Sequence, residues 1–141
     1  MSNQADRSVR SIVASLKPNW LWTWNGVCFG YRRGDSLFTY DGIEVGRFSG
    51  AEVYGAEGSY LGEVRSTEED GDRLITSSYK KSRMAAAFVP IIERAQKRPV
   101  DRNQEVLYCG YEHFPTPETL TGTILQRRGI PRSLANADPI Q

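Results

Sequence analysis

The stretch Leu21-Trp-Thr-Trp-Asn-Gly-Val-Cys-Phe-Gly30 decides the fold, because it recurs twice downstream at a spacing of sixteen residues. The second copy is Leu37-Phe-Thr-Tyr-Asp-Gly-Ile-Glu-Val-Gly46, and the third is Val53-Tyr-Gly-Ala-Glu-Gly-Ser-Tyr-Leu-Gly62. Two glycine positions, one aromatic position and one apolar position agree across the three copies. Similarity at a fixed period indicates a repeat architecture, in which neighbouring units bury one another's apolar surface.

Each copy predicts a β-hairpin whose turn contains the first of its two glycines. The turn pairs favour type I′ geometry, because that turn needs residues that tolerate positive φ at both central positions. The links between copies, at Gly34 and at Gly50, are too short for a crossover helix, so we expect an antiparallel meander. A divergent fourth hairpin, 63–65 with 73–79, is expected to follow. The three turn pairs are Asn25-Gly26, Asp41-Gly42 and Glu57-Gly58.

A type I′ turn fixes the register and therefore divides the side chains between two faces. Trp22 then faces Phe29, and Trp24 faces Val27, on what we take as the core face. The expected core residues are Trp20, Trp22, Trp24, Val27, Phe29 and Tyr31, then Phe38, Tyr40, Ile43 and Val45, then Tyr54, Ala56 and Leu61. On the second face, Leu21, Leu37 and Val53 lie opposite Gly30, Gly46 and Gly62, where a missing Cβ lets a neighbouring hairpin approach closely.

The turn residues also carry a family resemblance, over residues 20–80. The segments Trp24-Asn25-Gly26…Gly30, Tyr40-Asp41-Gly42…Gly46 and Glu57-Gly58-Ser-Tyr-Leu-Gly62 resemble the bacterial domains described as the 4-fold beta flower. The resemblance implies hairpins closed around a pseudo-fourfold axis. It carries over no functional residue, because that family has no established biochemical activity. The stretch 57–64 is more weakly similar to PRC-barrel domains, in which a related glycine pattern opens a small β-barrel.

The predicted fold class is mainly β, with sixteen-residue hairpin repeats, short flanking helices and an irregular C-terminal tail. We divide the chain into a helical flank (1–19), a hairpin domain (20–79), a basic and partly helical segment (80–104) and a strand with a proline-containing tail (105–141). The apolar spacing predicts helices over 8–16 and 84–96 and a strand over 105–114. Residues 120–125 are expected to dock, and 126–141 to be mobile.

The 18 Lys and Arg residues nearly balance the 17 Asp and Glu residues, but the two signs are segregated along the chain. Residues 41–72 hold nine acids against two arginines, whereas residues 80–102 hold seven basic residues against two acids. The basic segment is expected to pack on the acidic hairpins or on those of another subunit, with a solvated linker and a polyanion site as alternatives. The candidate polyanion contacts are Lys80, Lys81, Arg83, Arg94, Lys97, Arg98 and Arg102.

The sequence predicts no catalytic residue, no cofactor and no metal site. His113 is the single histidine, and no nucleophile motif accompanies it. Cys28 and Cys109 fit no metal spacing, so we expect free thiols packed as small apolar groups in a reducing cytoplasm. The acidic loop 68–72 lacks EF-hand spacing and is interpreted as a solvated loop. No apolar run is long enough to span a bilayer.

These observations favour a non-catalytic binding or assembly module, acting on a protein partner or as a homo-oligomer. A nucleic-acid or other polyanion site on 80–102 is one alternative, and a catalytic use of His113 is another. A carbohydrate-binding module is a third, which requires Trp or Tyr rings to line an open groove. Tyr60, on the second face, is the ring that we expect to be exposed.

Overall fold

The computed structural model of the protein describes residues 18–67 and 71–127. Three of the expectations fall outside those residues. They are the helix over 8–16, most of the acidic loop, and the tail from residue 128 onward.

Within the described residues, eight strands form one sheet, in which each strand is hydrogen-bonded to its neighbours in the sequence. Neighbouring strands are antiparallel, as the short links predict. The first strand also pairs in parallel with the seventh, through Trp22 and Arg73, which closes seven strands into a barrel. The strands are β1 (Asn19–Thr23), β2 (Cys28–Arg33), β3 (Ser36–Thr39), β4 (Glu44–Ser49), β5 (Glu52–Tyr54), β6 (Tyr60–Thr67), β7 (Gly71–Ser77) and β8 (Tyr111–His113). A 3₁₀ helix (Ser78–Lys80) follows β7, and α1 (Pro117–Arg127) follows β8.

A one-residue bulge in each repeat shifts the pairing away from the predicted register. Leu21 pairs with Gly30 as predicted, but Trp22 then pairs with Cys28, which leaves Phe29 unpaired. A bulge sets two residues of one strand against one residue of its partner. The predicted pairing of Trp22 with Phe29 is therefore wrong. The equivalent unpaired residues of the second and third hairpins are Val45 and Leu61.

The turns also differ from the predicted type. The Gly26 N–H donates to the Thr23 carbonyl (3.0 Å), and the Thr23 N–H donates to the Val27 carbonyl (2.8 Å). This is a three-residue loop, in which a type I turn is followed by a glycine in the left-handed region. No non-glycine residue in the described ranges has a positive φ, so the type I′ prediction is wrong. The angles are 90° at Gly26, 86° at Gly42 and 93° at Gly58.

Buried side chains form two groups instead of one core face. The hydrophobic cluster unites Leu21, Leu37 and Val53, predicted on the second face, with Phe29 and Val45, predicted on the core face. The bulge accounts for this mixture, because one extra residue reverses the face on which the following side chain lies. A second group of buried side chains is aromatic and does not belong to this cluster; its members are Trp22, Trp24, Tyr31, Phe38, Tyr54 and Tyr60. Tyr60 is thus buried, contrary to expectation.

Residues 81–110, which we call the strap, cross the hairpin turns without a helix. The helix predicted over 84–96 is wrong, because the strap's N–H groups bond to the barrel and not to carbonyls four residues earlier. Pro90 and Pro99 have no N–H to donate, which disfavours a continuous helix further. The strand predicted over 105–114 is reduced to β8.

The prediction of an irregular tail is also wrong between residues 117 and 127, where α1 forms. The Thr116 hydroxyl accepts the Thr119 N–H (3.2 Å), and Pro117 occupies the first helical position, where its missing N–H costs nothing. Ile124 and Leu125 are buried in the hydrophobic cluster, which confirms the docking predicted for this stretch.

Candidate functional site

The three hairpin turns bind the strap through one repeated hydrogen bond. In each turn, the carbonyl oxygen of the left-handed glycine accepts a backbone N–H from the strap. The strap passes the turns in reverse order, meeting the third repeat first. The pairs are Ala85 N–H to Gly58 (2.8 Å), Glu93 N–H to Gly42 (2.7 Å) and Arg102 N–H to Gly26 (2.7 Å).

A second bond repeats three residues further along the strap. It ends on the carbonyl two residues before each turn glycine. The pairs are Phe88 N–H to Ala56 (3.0 Å), Gln96 N–H to Tyr40 (2.8 Å) and Glu105 N–H to Trp24 (2.9 Å). We call each set of contacts a station, and number the stations by the repeat that forms them.

A third bond runs from the barrel to the strap, two residues after each turn glycine. The Tyr60 N–H donates to the Arg83 carbonyl (3.2 Å), and the Glu44 N–H donates to the Ile91 carbonyl (2.9 Å). At the first station the carboxylate of Asp101 replaces the strap carbonyl and accepts the Cys28 N–H (2.9 Å). The stations therefore share one backbone pattern, with a side-chain substitute in one of nine positions.

The turn glycines are needed for space as well as for their φ angles. A Cβ at Gly26 or Gly42 would lie 2.1 Å from a strap carbonyl oxygen, of Arg102 or Glu93 respectively. A Cβ at Gly58 would lie 2.3 Å from the Ala85 carbonyl oxygen. The strap backbone can approach each turn because no side chain stands there.

The second glycine of each repeat admits a different neighbour. A Cβ at Gly30 would lie 1.9 Å from the Phe38 carbonyl oxygen of the next hairpin. At Gly46 the nearest atom is Val53 Cγ1 (2.8 Å), and at Gly62 it is the Phe114 ring (2.5 Å). These glycines therefore bring adjacent hairpins and the segment after β8 together.

At the first station, two indoles of the barrel bind strap carbonyls. Trp22 Nε1 donates to the Val100 carbonyl (2.9 Å), and Trp24 Nε1 donates to the Val106 carbonyl (2.8 Å). The Arg102 guanidinium lies 3.6 Å from the centre of the Trp22 ring, in a cation–π contact. Both indoles are therefore buried with their N–H groups satisfied.

At the second station, carboxylates join the strap to the barrel in both directions. Glu93 of the strap accepts the Tyr31 hydroxyl (2.6 Å) and pairs with Arg33. The fully buried Glu44 of the barrel accepts the Ile91 N–H (3.1 Å). Burial, followed by the bond to Glu93, raises the pKa of Tyr31, so its hydroxyl keeps the proton that it donates.

At the third station, the strap supplies the aromatic ring. Ala56 stands where the other repeats have Trp24 and Tyr40, and Phe88 of the strap packs against the same hydrophobic cluster as Ala56. The Arg47 guanidinium lies 4.3 Å from the centre of the Phe88 ring. A small cavity of about 70 Å³ remains between this turn and α1, lined in part by Gly55 and Ala56.

A charged network holds the beginning of the strap. Lys80 Nζ lies 2.7 Å from Glu63 and 3.3 Å from Glu52, two carboxylates that face each other across β5 and β6. Arg83 also pairs with Glu52. Hydrogen bonds from Tyr54 and Lys80 lower the pKa of Glu52. Burial would raise the pKa of Glu63, but bonds from Lys80 and Tyr60 outweigh it and lower that pKa.

Most of the predicted polyanion contacts are engaged within the chain. Arg94 and Lys97 are exposed and form no ion pair with another described residue. The other five contact a carboxylate or a ring: Lys80 with Glu63, Lys81 with Glu112, Arg83 with Glu52, Arg98 over Tyr40, and Arg102 over Trp22. The basic segment thus packs on the barrel of its own chain, as expected.

The predicted turn partners of the glycines play separate parts. Asn25 accepts the Thr23 hydroxyl through its side chain. Burial raises the pKa of Asp41, and the Glu118 charge raises it further. Glu57 is exposed beside the cavity at the third turn. The bonds of the stations run between backbone groups at the turn glycines, so they do not use the side chains of Asn25 or Asp41.

The enzymatic alternative depends on His113. His113 is exposed, and its ring makes no hydrogen bond within residues 18–67 and 71–127. Neither do these residues hold a group of three His, Cys, Asp or Glu side chains placed to bind a metal ion. Both cysteines are free thiols; Cys28 is buried as expected, whereas Cys109 is exposed. Within the described ranges, no helix is long and apolar enough to cross a membrane.

Sequence reasoning missed the strap's part in the stations. The contacting residues Ala85, Glu93 and Arg102 share no chemistry, because their backbone makes the contact. Their spacings of eight and nine residues follow the three turns in reverse order, but no residue type marks these positions in the sequence.

No protein-family model, curated protein or solved structure matches this chain.

Proposed function

We propose that the protein is a non-catalytic binding or assembly module, and that its binding surface is the row of three stations. The observation that carries this proposal is the repeated set of backbone bonds between the turns and an extended segment. A surface that contacts mainly backbone suits a peptide ligand. In this chain the strap occupies the surface as an internal ligand.

The contacts of the basic side chains favour a peptide ligand over a polyanion. Lys80, Lys81 and Arg83 pair with carboxylates of the same chain, and Arg98 and Arg102 lie over aromatic rings. The carboxylate partners of Lys80, Lys81 and Arg83 offset part of the segment's positive charge, which lowers the counterion release on which polyanion affinity depends. Retention on heparin that weakens steeply with salt would favour the polyanion alternative instead.

The burial of the aromatic residues also bears on the carbohydrate alternative. Trp22, Trp24 and Tyr60 are each at most 6% exposed. Stacking on a sugar needs an accessible ring face, whereas these rings pack beneath the strap or the 3₁₀ helix region. The two tryptophans, whose indoles donate to strap carbonyls, therefore support a role in holding the strap.

We further propose that the barrel has a pseudo-fourfold arrangement of the beta-flower kind. The three identical turns support it, together with the β6–β7 pair, which supplies a fourth hairpin. A closed β-barrel is also what the weaker PRC-barrel resemblance implies. A solved structure in which a rotation of about 90° superposes successive hairpins would support the fourfold arrangement.

The experiment is a titration of a fluorescein-labelled peptide, residues 81–108, into the full chain, followed by fluorescence anisotropy. The Phe88→Ala variant weakens the internal strap at one station and should bind the peptide saturably. The wild-type chain should bind more weakly, because apparent affinity falls with the fraction of chains whose surface is open.

A locked variant provides the matched control. Ser59→Cys and Met84→Cys, in a Cys109→Ser background, place a disulfide across the bridge that joins Ser59 to Met84. The oxidised chain should not bind the peptide, and reduction should restore binding. If the folded Phe88→Ala variant fails to bind at peptide concentrations on the order of 1 mM, the proposed function is wrong.

A further inference from the structure

We infer that the stations accept the strap of a second copy of this chain, so that two chains exchange straps to form a symmetric dimer. This inference rests on the proposed function and names the partner.

The strap forms its backbone hydrogen bonds with the barrel, and few of them join two residues of the strap. Between residues 84 and 106, the described backbone–backbone hydrogen bonds run to the barrel, at the three stations. Such a segment behaves as a bound peptide, because its conformation is set by the surface beneath it. The same surface on a second copy offers the same backbone acceptors and the same indole N–H donors.

Both ends of the strap leave the barrel at one place. Ser77 and Tyr111 are paired between β7 and β8, and the Ser78 N–H donates to the Gly110 carbonyl (2.9 Å) across the neck. Gly110 has a φ of +87°, and a 3₁₀ helix of three residues forms the other side. The strap can therefore leave its own stations as one loop while β1–β7 remain paired.

Exchange of the straps keeps every station contact and limits the assembly to two chains. Each chain would give its strap to the other across a twofold axis, so every station would be filled again. The internal strap has the advantage of a high effective concentration, on the order of mM for a short tether. Exchange should therefore grow with protein concentration and with any change that loosens the neck.

The register of the stations makes this inference testable by disulfide trapping. Ser59 and Met84 form an isolated antiparallel bridge, flanked by the Ala85 to Gly58 and Tyr60 to Arg83 bonds. Paired positions of this kind have Cα atoms about 4.5 Å apart, within the range that a disulfide spans. Ile92 forms the equivalent bridge at the second station, with Ile43.

In the experiment, a Ser59→Cys chain is mixed with a Met84→Cys chain, both in the Cys109→Ser background, under a thiol–disulfide buffer. The control mixture pairs the Ser59→Cys chain with an Ile92→Cys chain, whose cysteine belongs to a different station. We expect covalent heterodimer to form about tenfold faster in the matched mixture, at protein concentrations on the order of 1 mM. Circular dichroism checks that each single variant is folded.

Equal rates in the matched and mismatched mixtures would overturn the inference, and so would the absence of covalent dimer. The double variant Ser59→Cys/Met84→Cys, oxidised in dilute solution, should close as a monomer and so verify the geometry of the pair. If trapping fails while the labelled peptide still binds the Phe88→Ala variant, the proposed function stands and only the second copy is excluded. If the peptide also fails to bind, both the proposed function and the exchange of straps are wrong.

Discussion

The carbonyl oxygen of Glu93 lies 2.1 Å from the point at which a Cβ on Gly42 would stand, while the Glu93 N–H donates to the Gly42 carbonyl over 2.7 Å. One backbone unit of the strap thus both bonds to the turn and occupies the space of its missing side chain. The same relationship recurs at Gly26 and Gly58. The turn glycines therefore position the strap as well as the hairpin.

Gly42→Ala should lower the free energy of unfolding by about 2 to 3 kcal/mol, because it adds strain at positive φ and displaces the strap. Gly50→Ala is the matched control. Gly50 also has a positive φ, of 63°, but nothing lies within 4 Å of its Cβ position. The control should cost only about 1 kcal/mol. Urea denaturation measures both, and equal losses would contradict the part assigned to the strap contact.

The hairpins could be predicted because their signals are local. A turn glycine and a large residue opposite a second glycine are both visible in sixteen residues, and the pairs Leu21–Gly30 and Leu37–Gly46 follow from them. The bulge at Phe29 could not be predicted from the same pattern. A three-residue loop and a two-residue loop fit the dipeptide Asn25-Gly26 equally, and the choice between them moves the next side chain to the other face.

The strap could not be predicted because its recognition is not carried by residue type. The helical spacing around Phe88 reflects a single anchor at Ala56 and exposed neighbours, not one apolar helix face. The basic residues predicted packing on the acidic hairpins, with a polyanion site as an alternative, whereas Arg102 and Arg98 lie over rings of the barrel. Contacts between backbone groups that are more than twenty residues apart leave little trace in composition.

Phe88→Ala should destabilise the chain by about 2 kcal/mol, since it removes a half-buried ring that packs against the hydrophobic cluster. Val89→Ala provides the control, because Val89 is 78% exposed and should change stability by less than about 0.5 kcal/mol. Thermal or urea unfolding measures both changes. A loss of similar size for the two variants would mean that Phe88 does not anchor the strap.

The two thiols should react at very different rates with a thiol reagent near pH 8. Burial raises the pKa of Cys28 to about 11, so little thiolate is present, and its N–H is bonded to Asp101 of the strap. Cys109 is exposed and should react at once. One equivalent is therefore expected quickly, and the second only as the strap opens. Phe88→Ala should accelerate the slow phase. If both thiols of the wild-type chain react in the fast phase, the strap does not cover Cys28.

Acid should release the beginning of the strap. The pKa values of Glu52 and Glu63 are both lowered in the folded chain, so each contributes stability that is present above its ordinary pKa. That stability is lost as the pH falls through the lowered values. We expect the urea midpoint to fall between about pH 5 and pH 3, together with faster hydrogen exchange at Ala85.

Lys80→Met tests whether the two carboxylates are the cause. Lys80 lies within 3.3 Å of both, and its own pKa is raised by its bond to Glu63 and then by Glu52. Without the ammonium group, Glu52 and Glu63 would face each other as like charges, and protonating one of them would relieve their repulsion. The variant should therefore be less stable than the wild type at pH 7, with an acid dependence that is flattened or reversed. If its urea midpoint falls in parallel with that of the wild type, the acid sensitivity arises elsewhere in the chain.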